Sequence, residues 1–226
     1  MDAQVTTLDT GDALAWEARL FEEVSRHPEK SFVKLWQGSQ SLVAPKKLAA
    51  KAAFSSVSQT LAKAGWPVHV RATGGDATPQ GPGILNVTHV HTWQSGGAFD
   101  IPGAYHRLCA PIEAALGAGA AHGWQPGAFC DGAYNVQWNG LKFAGTAMRF
   151  RPCPTNKSCH TVLAHALMLL EPPAPAAIGA INMFLAGLEE PRVIQKQAHT
   201  GLPDGMTVED FIKRLRLEFD AGLSGL

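Results

Sequence analysis

The sequence is short of charge, short of cysteine and without a long apolar run, and each shortage closes off a class of protein. Of its 226 residues only 17% are Asp, Glu, Lys or Arg, and 19 basic residues face 19 acidic ones. No global field therefore draws the chain to nucleic acid or to an anionic membrane surface. No apolar stretch approaches the roughly 20 residues needed to span a bilayer. The first residues carry Asp2, Asp9 and Asp12 and no basic residue, opposite to the basic-then-apolar order of a secretory signal. The expected location is the cytoplasm, with neither membrane nor nucleic acid as a partner. The cysteines Cys109, Cys130, Cys153 and Cys159 are too few for a disulfide framework and are expected to be thiols in a reducing compartment. Cys153, Cys159, His160 and His165 contain no C-x₂₋₄-C pair, so no metal site is expected.

What remains is 46% apolar residues, enough for one well-filled core, and a single domain over residues 1–226 is expected. Leu14, Ala18, Phe21 and Val24 recur near helical spacing across residues 12–26. Residues 31–36 alternate as a strand, a helix is expected over 49–64, and Gly65-Trp66-Pro67 stops it before the β-branched run 68–70. A glycine- and proline-rich loop over 71–87 then merges into the strand 84–90. Residues 103–116 form a helix interrupted or begun near Pro111. Asn139-Gly140 between apolar runs is a strong hairpin signal, because a type I′ turn needs positive φ at both central positions. A strand over 161–170 ends at Pro172-Pro173. Helices follow at 175–188 and 207–222, the second capped by Thr207. Hairpins with helices gathered between them point to an α+β fold, with a mixed, largely antiparallel sheet and flanking helices.

Three sets of residues carry chemistry. In the Arg71 loop, adjacent Gly74 and Gly75 let backbone N–H groups turn toward an anion, although the loop is neither a Walker A nor a G-x-G-x-x-G fingerprint. Lys142, just after the hairpin turn, is either a solvated surface charge or a cation held over a carboxylate, an acyl phosphate or a developing oxyanion. Cys130, in a glycine-flanked loop, is either an inert buried thiol or a nucleophile activated by a nearby cation. His165, inside an apolar strand, is either a hydrogen-bonded core histidine or a site residue.

Taken in order, these pieces resemble one family along nearly the whole chain: lipoate-protein ligase A, the lipoyl/octanoyl transferases and, more remotely, the biotin protein ligases. Arg71-Ala72-Thr73-Gly74-Gly75-Asp76-Ala77 resembles the R-R-x-G-G-G-x-V signature, which continues at Gly83 and Asn86. Gly132-Ala133-Tyr134-Asn135 resembles a G-R-N-D stretch. The run from Gly140 to Ala147, with Lys142, Gly145 and Thr146, is similar to the G-x-K-[IL]-x-G-[ST]-A motif that carries the signature lysine. His165-Ala166-Leu167-Met168-Leu169-Leu170 resembles H-G-[ST]-[IL]-L-L. The segments 13–17 and 32–36 resemble the opening helix and first strand.

The resemblance implies a biotin/lipoyl protein ligase catalytic-domain fold in which the glycine loop and the lysine strand line an acyl groove. Lys142 would lie near the acyl carbonyl. Arg71, Thr73, Gly74, Gly75, Asp76, Ala77, Asn86, Asn135, Gly145, Thr146, Ala147 and His165 would bind substrate or nucleotide. It implies transfer of a lipoyl or octanoyl group to a lysine of a lipoyl-carrier domain, by a ligase as the first reading and by a transferase as the alternative. A ligase uses ATP and Mg²⁺ with lipoate or octanoate and passes through acyl-AMP. A transferase takes octanoate from an acyl carrier protein and passes through a thioester on Cys130. A third reading is a relative that only binds the lipoyl carrier or ligand. The departures matter for the choice. Asp76 replaces a glycine, and is expected either to weaken phosphate binding or to help hold Mg²⁺. Gln80 stands where many relatives have histidine, and Ala133 where ligases have arginine. The usual C-terminal accessory domain is expected to be missing, so a ligase would call on a separate accessory subunit.

Overall fold

The computed structural model describes residues 5–94, 98–154 and 158–224; Asp2, part of the acidic start noted above, lies outside them. Along the chain run β1 (Thr6–Leu8), α1 (Thr10–Arg26), β2 (Phe32–Gly38), β3 (Ser41–Pro45), α2 (Lys46–Ala49), α3 (Phe54–Lys63), β4 (Val68–Arg71), β5 (Thr78–Gln80) and β6 (Ile84–Gln94). Then come α4 (Ile101–Leu116), β7 (Ala120–His122), β8 (Val136–Trp138), β9 (Leu141–Pro152), β10 (Cys159–Leu169), α5 (Pro175–Gly187) and α6 (Val208–Ser224).

Local chemistry sets most of these boundaries. Asp9 accepts from the N–H groups of Gly11 at 2.8 Å and Asp12 at 3.2 Å, so α1 begins at Thr10, two residues before the expected start. Those bonds, that of Asp12 foremost, hold the Asp9 carboxyl below its ordinary pKa. Asp100 caps α4 through Gly103 N–H at 3.0 Å, and Pro111 lies inside that helix rather than at an end. Thr207 caps α6, accepting from Asp210 N–H at 3.1 Å, as the sequence indicates. The single helix expected over 49–64 is instead two, α2 and α3, because the chain turns at residues 50–53 between them. Asn139 and Gly140 have φ of 48° and 76°, the left-handed pair of the expected hairpin turn between β8 and β9.

The strands form a seven-stranded sheet in the order β1-β2-β6-β10-β9-β8-β7 and a three-stranded sheet in the order β4-β3-β5. All neighbours pair antiparallel except β1 with β2 and β3 with β4. The fold is thus α+β with a mixed, largely antiparallel sheet. Alternation along β10 sorts its residues between the two faces of the sheet. Val162, Ala164, Ala166 and Met168 pack with Leu108 and Ile112 of α4 and Phe211, Leu215 and Phe219 of α6. Leu167 and Leu169 pack with Ile178, Ile181 and Phe184 of α5, and Leu163 packs with Phe21 and Val24 of α1. Each fully buried side chain of this size contributes roughly 1.5–3 kcal/mol. The same alternation turns His165 to the α1 and α5 side, where the glycine loop lies.

One expectation is overturned. Cys153 and Cys159 are joined in a disulfide, while Cys109 and Cys130 are free. The β9–β10 register pairs Pro152 with His160, so the neighbouring residues Cys153 and Cys159 face each other. Their backbones are linked from Cys153 N–H to Cys159 C=O at 2.8 Å, and a Cα–Cα distance of 5.3 Å suits a bridge. Composition gave no sign of this, because the pairing depends on strand register.

Candidate active site

The loop after β4 is held from inside. Arg71 is 5% exposed, and its guanidinium donates to the carbonyls of Gly74 (2.9 and 3.1 Å), Asp76 (2.7 Å) and Val43 (3.3 Å) and to Thr78 Oγ1 (3.4 Å). A guanidinium has only five N–H groups, so Arg71 works here as the clasp of the glycine loop. Asp76, also buried, accepts from Ala77 N–H at 2.9 Å and forms an ion pair with Arg192. The negative charge that departs from the family signature is therefore neutralised within the chain. Gly74 faces open space, whereas a Cβ on Gly75, at φ 91°, would sit 2.7 Å from Cys130 Sγ.

Lys142 is fully buried, which removes the solvated-charge reading. Its Nζ donates to the carbonyls of Phe129 and Cys130, the latter at 2.9 Å, and lies 4.8 Å from the Phe129 ring centre. Burial pushes this ammonium down to about 8, against the upward pull of Cys130, Asp131 and Asp76. Gly145 makes room for it, since a Cβ there would come within 3.1 Å of Nζ. His199 stacks on Phe129 at 4.4 Å and accepts from Phe129 N–H at 3.2 Å. Burial first, and then the Lys142 charge, hold its imidazole at about 4 and so neutral.

Cys130 joins the two halves. Its φ of 49° is a left-handed conformation uncommon outside glycine. It turns the carbonyl to Lys142 while Sγ accepts from Asp76 N–H at 3.3 Å and lies 3.9 Å from Arg71 Nη2. The lysine and the diglycine turn thus meet through a cysteine rather than face to face. Nearby, the buried Asn135 amide nitrogen has no hydrogen-bond partner among the described residues, and the oxygen of the same amide lies on the Gly145 side.

His165 is the third corner. Its Nε2 is 2.9 Å from Thr73 Oγ1 and its Nδ1 is 3.1 and 3.2 Å from the carboxylate oxygens of Glu17. Glu17 also accepts from Thr88 Oγ1 at 2.6 Å, and Thr88 accepts from Trp36 Nε1 at 2.9 Å. Asn86 exchanges amide hydrogen bonds with Gln80 at 2.8 and 3.0 Å.

Of the expected site residues, Arg71, Asn86, Cys130, Gly145, Thr146, Ala147 and His165 line one cavity of about 30 Å³, together with Leu14, Trp36, Val43 and Leu167. That is room for about one water, so an acyl chain enters only when these side chains move. Thr73, Gly75, Asp76 and Lys142 stand behind this lining through the bonds just described, with Ala77 and Asn135 buried beside them. Sequence reasoning passed over Glu17, Phe129, Arg192 and His199. Glu17 alone carried a signal, as a carboxylate on the apolar side of α1.

The model of the lipoyl protein ligase A/B catalytic domain matches residues 9–220. An uncharacterised protein of Cupriavidus necator is 35% identical over 176 residues, covering 72% of this chain and 69% of that protein. An octanoyl-[GcvH]:protein N-octanoyltransferase of Kyrpidia tusciae is 33% identical over 147 residues, 61% of this chain, and the match spans 49% of the transferase. Among solved structures, lipoate-protein ligase A bound with ATP superposes with a TM-score of 0.63 over 99% of this chain and 86% of its own, at 17% identity; at that identity the likeness shows the shared fold.

Proposed function

Because the chain belongs to the lipoyl protein ligase A/B catalytic-domain family, we propose that it moves an octanoyl or lipoyl group to a carrier-domain lysine through a thioester on Cys130. The observation that carries the reading is the setting of the Cys130 sulfur. It accepts a hydrogen bond from Asp76 N–H, lies beside the Arg71 guanidinium and lines the central cavity, while the Lys142 ammonium is tied to the carbonyl of the same residue. A donor N–H and a guanidinium beside the sulfur can stabilise the negative charge it carries when it leaves the acyl carbon. In the first half-reaction the sulfur attacks the donor's acyl carbon. The C–S bond to Cys130 forms, the bond to the donor thiol breaks, and that thiol leaves with the proton. In the second half-reaction the carrier lysine takes the acyl group.

The ATP-dependent ligase route fits these residues less well. Asp76, expected either to weaken phosphate binding or to help hold Mg²⁺, is held by Arg192 and Ala77 N–H, and Arg71 is committed to loop carbonyls. A triphosphate and its metal would need these bonds broken first. On the proposed route the partners are an octanoylated acyl or lipoyl carrier as donor and a second lipoyl domain as acceptor, and no accessory subunit is needed. The cytoplasm remains the proposed location, with the Cys153–Cys159 bond standing against it, since thiols there are kept reduced.

The test is intact-mass spectrometry after incubation with an octanoyl-thioester donor. One octanoyl adduct, mapped to Cys130 and absent in Cys130→Ser, is expected. Pyrophosphate release from ATP with lipoate or octanoate, undiminished in Cys130→Ser, would instead establish the ligase route. Carrier binding without any acylated product would leave only the non-catalytic reading.

A further inference from the structure

The segment 190–200, which follows α5, is fixed along its length to the body of the chain. Lys51 pairs with Glu190 at 2.5 Å. Asn182 of α5 clips the Ile194 backbone, accepting from its N–H at 2.7 Å and donating to its carbonyl at 2.9 Å. Thr200 N–H donates to the carbonyl of Lys142 at 2.9 Å. Between these anchors the segment reaches both sides of Cys130. On one side Gln195 N–H donates to the carbonyl of Gly127 at 2.8 Å. His199 Nδ1 lies 3.0 Å from the carbonyl of Gln195, which only accepts, so the neutral imidazole carries its proton there. Nε2 is left to accept from Phe129 N–H at 3.2 Å. Phe129 is fully buried, and this N–H has no solvent to turn to. Phe129 is thus bonded at its N–H by His199 and at its carbonyl by Lys142, which also takes the carbonyl of Cys130. On the other side Arg192 pairs with the Asp76 carboxylate, and the N–H of the same Asp76 donates to Cys130 Sγ at 3.3 Å. A cysteine at φ 49° persists where its surroundings over-determine it, and these bonds do so from both flanks.

We propose that His199 and Arg192 are positioning residues for the Cys130 nucleophile, His199 acting through Phe129 N–H and Arg192 through Asp76; the proposal rests on the Cys130 thioester. Neither side chain lines the central cavity, so each acts through its partner. His199 keeps the Phe129–Cys130 backbone against Lys142 and thereby aims the sulfur at the cavity. Arg192 keeps the Asp76 N–H at the sulfur, where it meets the negative charge carried when the C–S bond breaks. Arg192 also neutralises the Asp76 carboxylate, whose bare charge would oppose that negative sulfur. The effect falls on the rate of the chemical step, which depends on the aim of the nucleophile, and leaves donor binding alone.

The test is single-turnover formation of octanoyl-Cys130 from an octanoyl-thioester donor, with the rate at saturating donor and the half-saturating donor concentration read separately. His199→Phe keeps a ring against Phe129 and removes the acceptor. Its saturated rate should fall by roughly 10- to 100-fold, with the half-saturating concentration within about threefold of the unaltered value. His199→Gln, whose amide oxygen can replace Nε2, should recover most of that loss. Arg192→Met keeps the stem and removes the charge, and should also lower the saturated rate; adding Asp76→Asn should restore most of it. The Arg192 side chain is 42% exposed, so its variants give the answer even where the buried His199→Phe fails to fold. Saturated rates within about threefold of the unaltered protein in both His199→Phe and Arg192→Met would overturn the proposal. So would a loss confined to the half-saturating concentration, or His199→Phe as fast as His199→Gln, which would mean that the ring and not the acceptor matters. Absence of octanoyl-Cys130 in the unaltered protein is a distinct failure, that of the thioester itself, and takes the positioning role with it.

Discussion

Arg192, in the segment that follows α5, closes its guanidinium on the buried carboxylate of Asp76 in the glycine loop. Glu190 lies 3.9 Å from the same guanidinium, and the bond to Asp76 raises its pKa further. An arginine far along the chain thus neutralises a loop that the family signature would leave uncharged.

Removing that arginine should be felt in stability. Arg192→Ala strands a buried carboxylate, and a cost of about 1–3 kcal/mol is expected, read as a lower urea midpoint. Adding Asp76→Asn should return most of it, because the cost comes from the orphaned charge. A double-mutant cycle with no coupling would show the pair to be inert.

Gly75 has no room for a side chain. The Cβ of Gly75→Ala would lie 2.7 Å from Cys130 Sγ and 2.9 Å from Arg71 Nη2, at φ 91°, and both neighbours are hydrogen-bonded in place. A loss of about 1–3 kcal/mol is expected from the strained backbone, together with loss of Cys130 acylation. Gly74→Ala points into open space and should change stability by less than about 0.5 kcal/mol. Equal unfolding midpoints for the two variants would contradict the packing described.

Much of this site could be read before the structure, and the reasons are local. The Asn139-Gly140 turn and the apolar run through His165 fix strand direction and set Gly145, Ala147 and His165 on one side of the sheet, whereas Lys142 joins them only through a shift in the β8–β9 register that strand alternation does not foretell. What could not be read depends on elements distant in sequence. Glu17 meets His165 only because α1 crosses β10, Arg192 meets Asp76 only after α5 turns back, and His199 reaches Phe129 through a chain segment with no periodicity. The disulfide belongs with these, since only the β9–β10 register brings its sulfurs together. The expected groove was misjudged for a different reason: motifs name lining residues, and the space between them is set by how their neighbours pack.

The Lys142 ammonium gives a pH signature. Its pKa is lowered from 10.5 to about 8 in the folded chain. Between these values the unfolded chain holds the proton and the folded chain does not, so this group's contribution to stability rises with pH. Below about pH 8 its burial cost is present in full. Cys109 and Tyr105, each pushed up to about 12 by burial, act in the opposite direction at high pH. The comparison is therefore with Lys142→Met at each pH: relative to that variant, the unaltered protein should gain on the order of 3 kcal/mol from pH 8 to 10.5. A pH-independent difference would mean that the amine reaches solvent.

The Cys153–Cys159 bridge closes a short loop, with a sequence separation of 6. Loop-closure entropy assigns such a bridge about 2 kcal/mol. Thermal unfolding with and without a reducing agent should show a lower midpoint on reduction, and Cys153→Ser with Cys159→Ser should reproduce the reduced value and lose its sensitivity to the agent.

A cavity that holds about one water at rest is a poor mould for a fatty chain. Each methylene admitted must displace some of Leu14, Trp36, Val43 and Leu167, so discrimination by chain length resides in how far these side chains yield. Trimming one of them ought to widen the range of tolerated acyl lengths, and the compliance of four hydrophobic neighbours, more than any polar contact, would decide which cargo is carried.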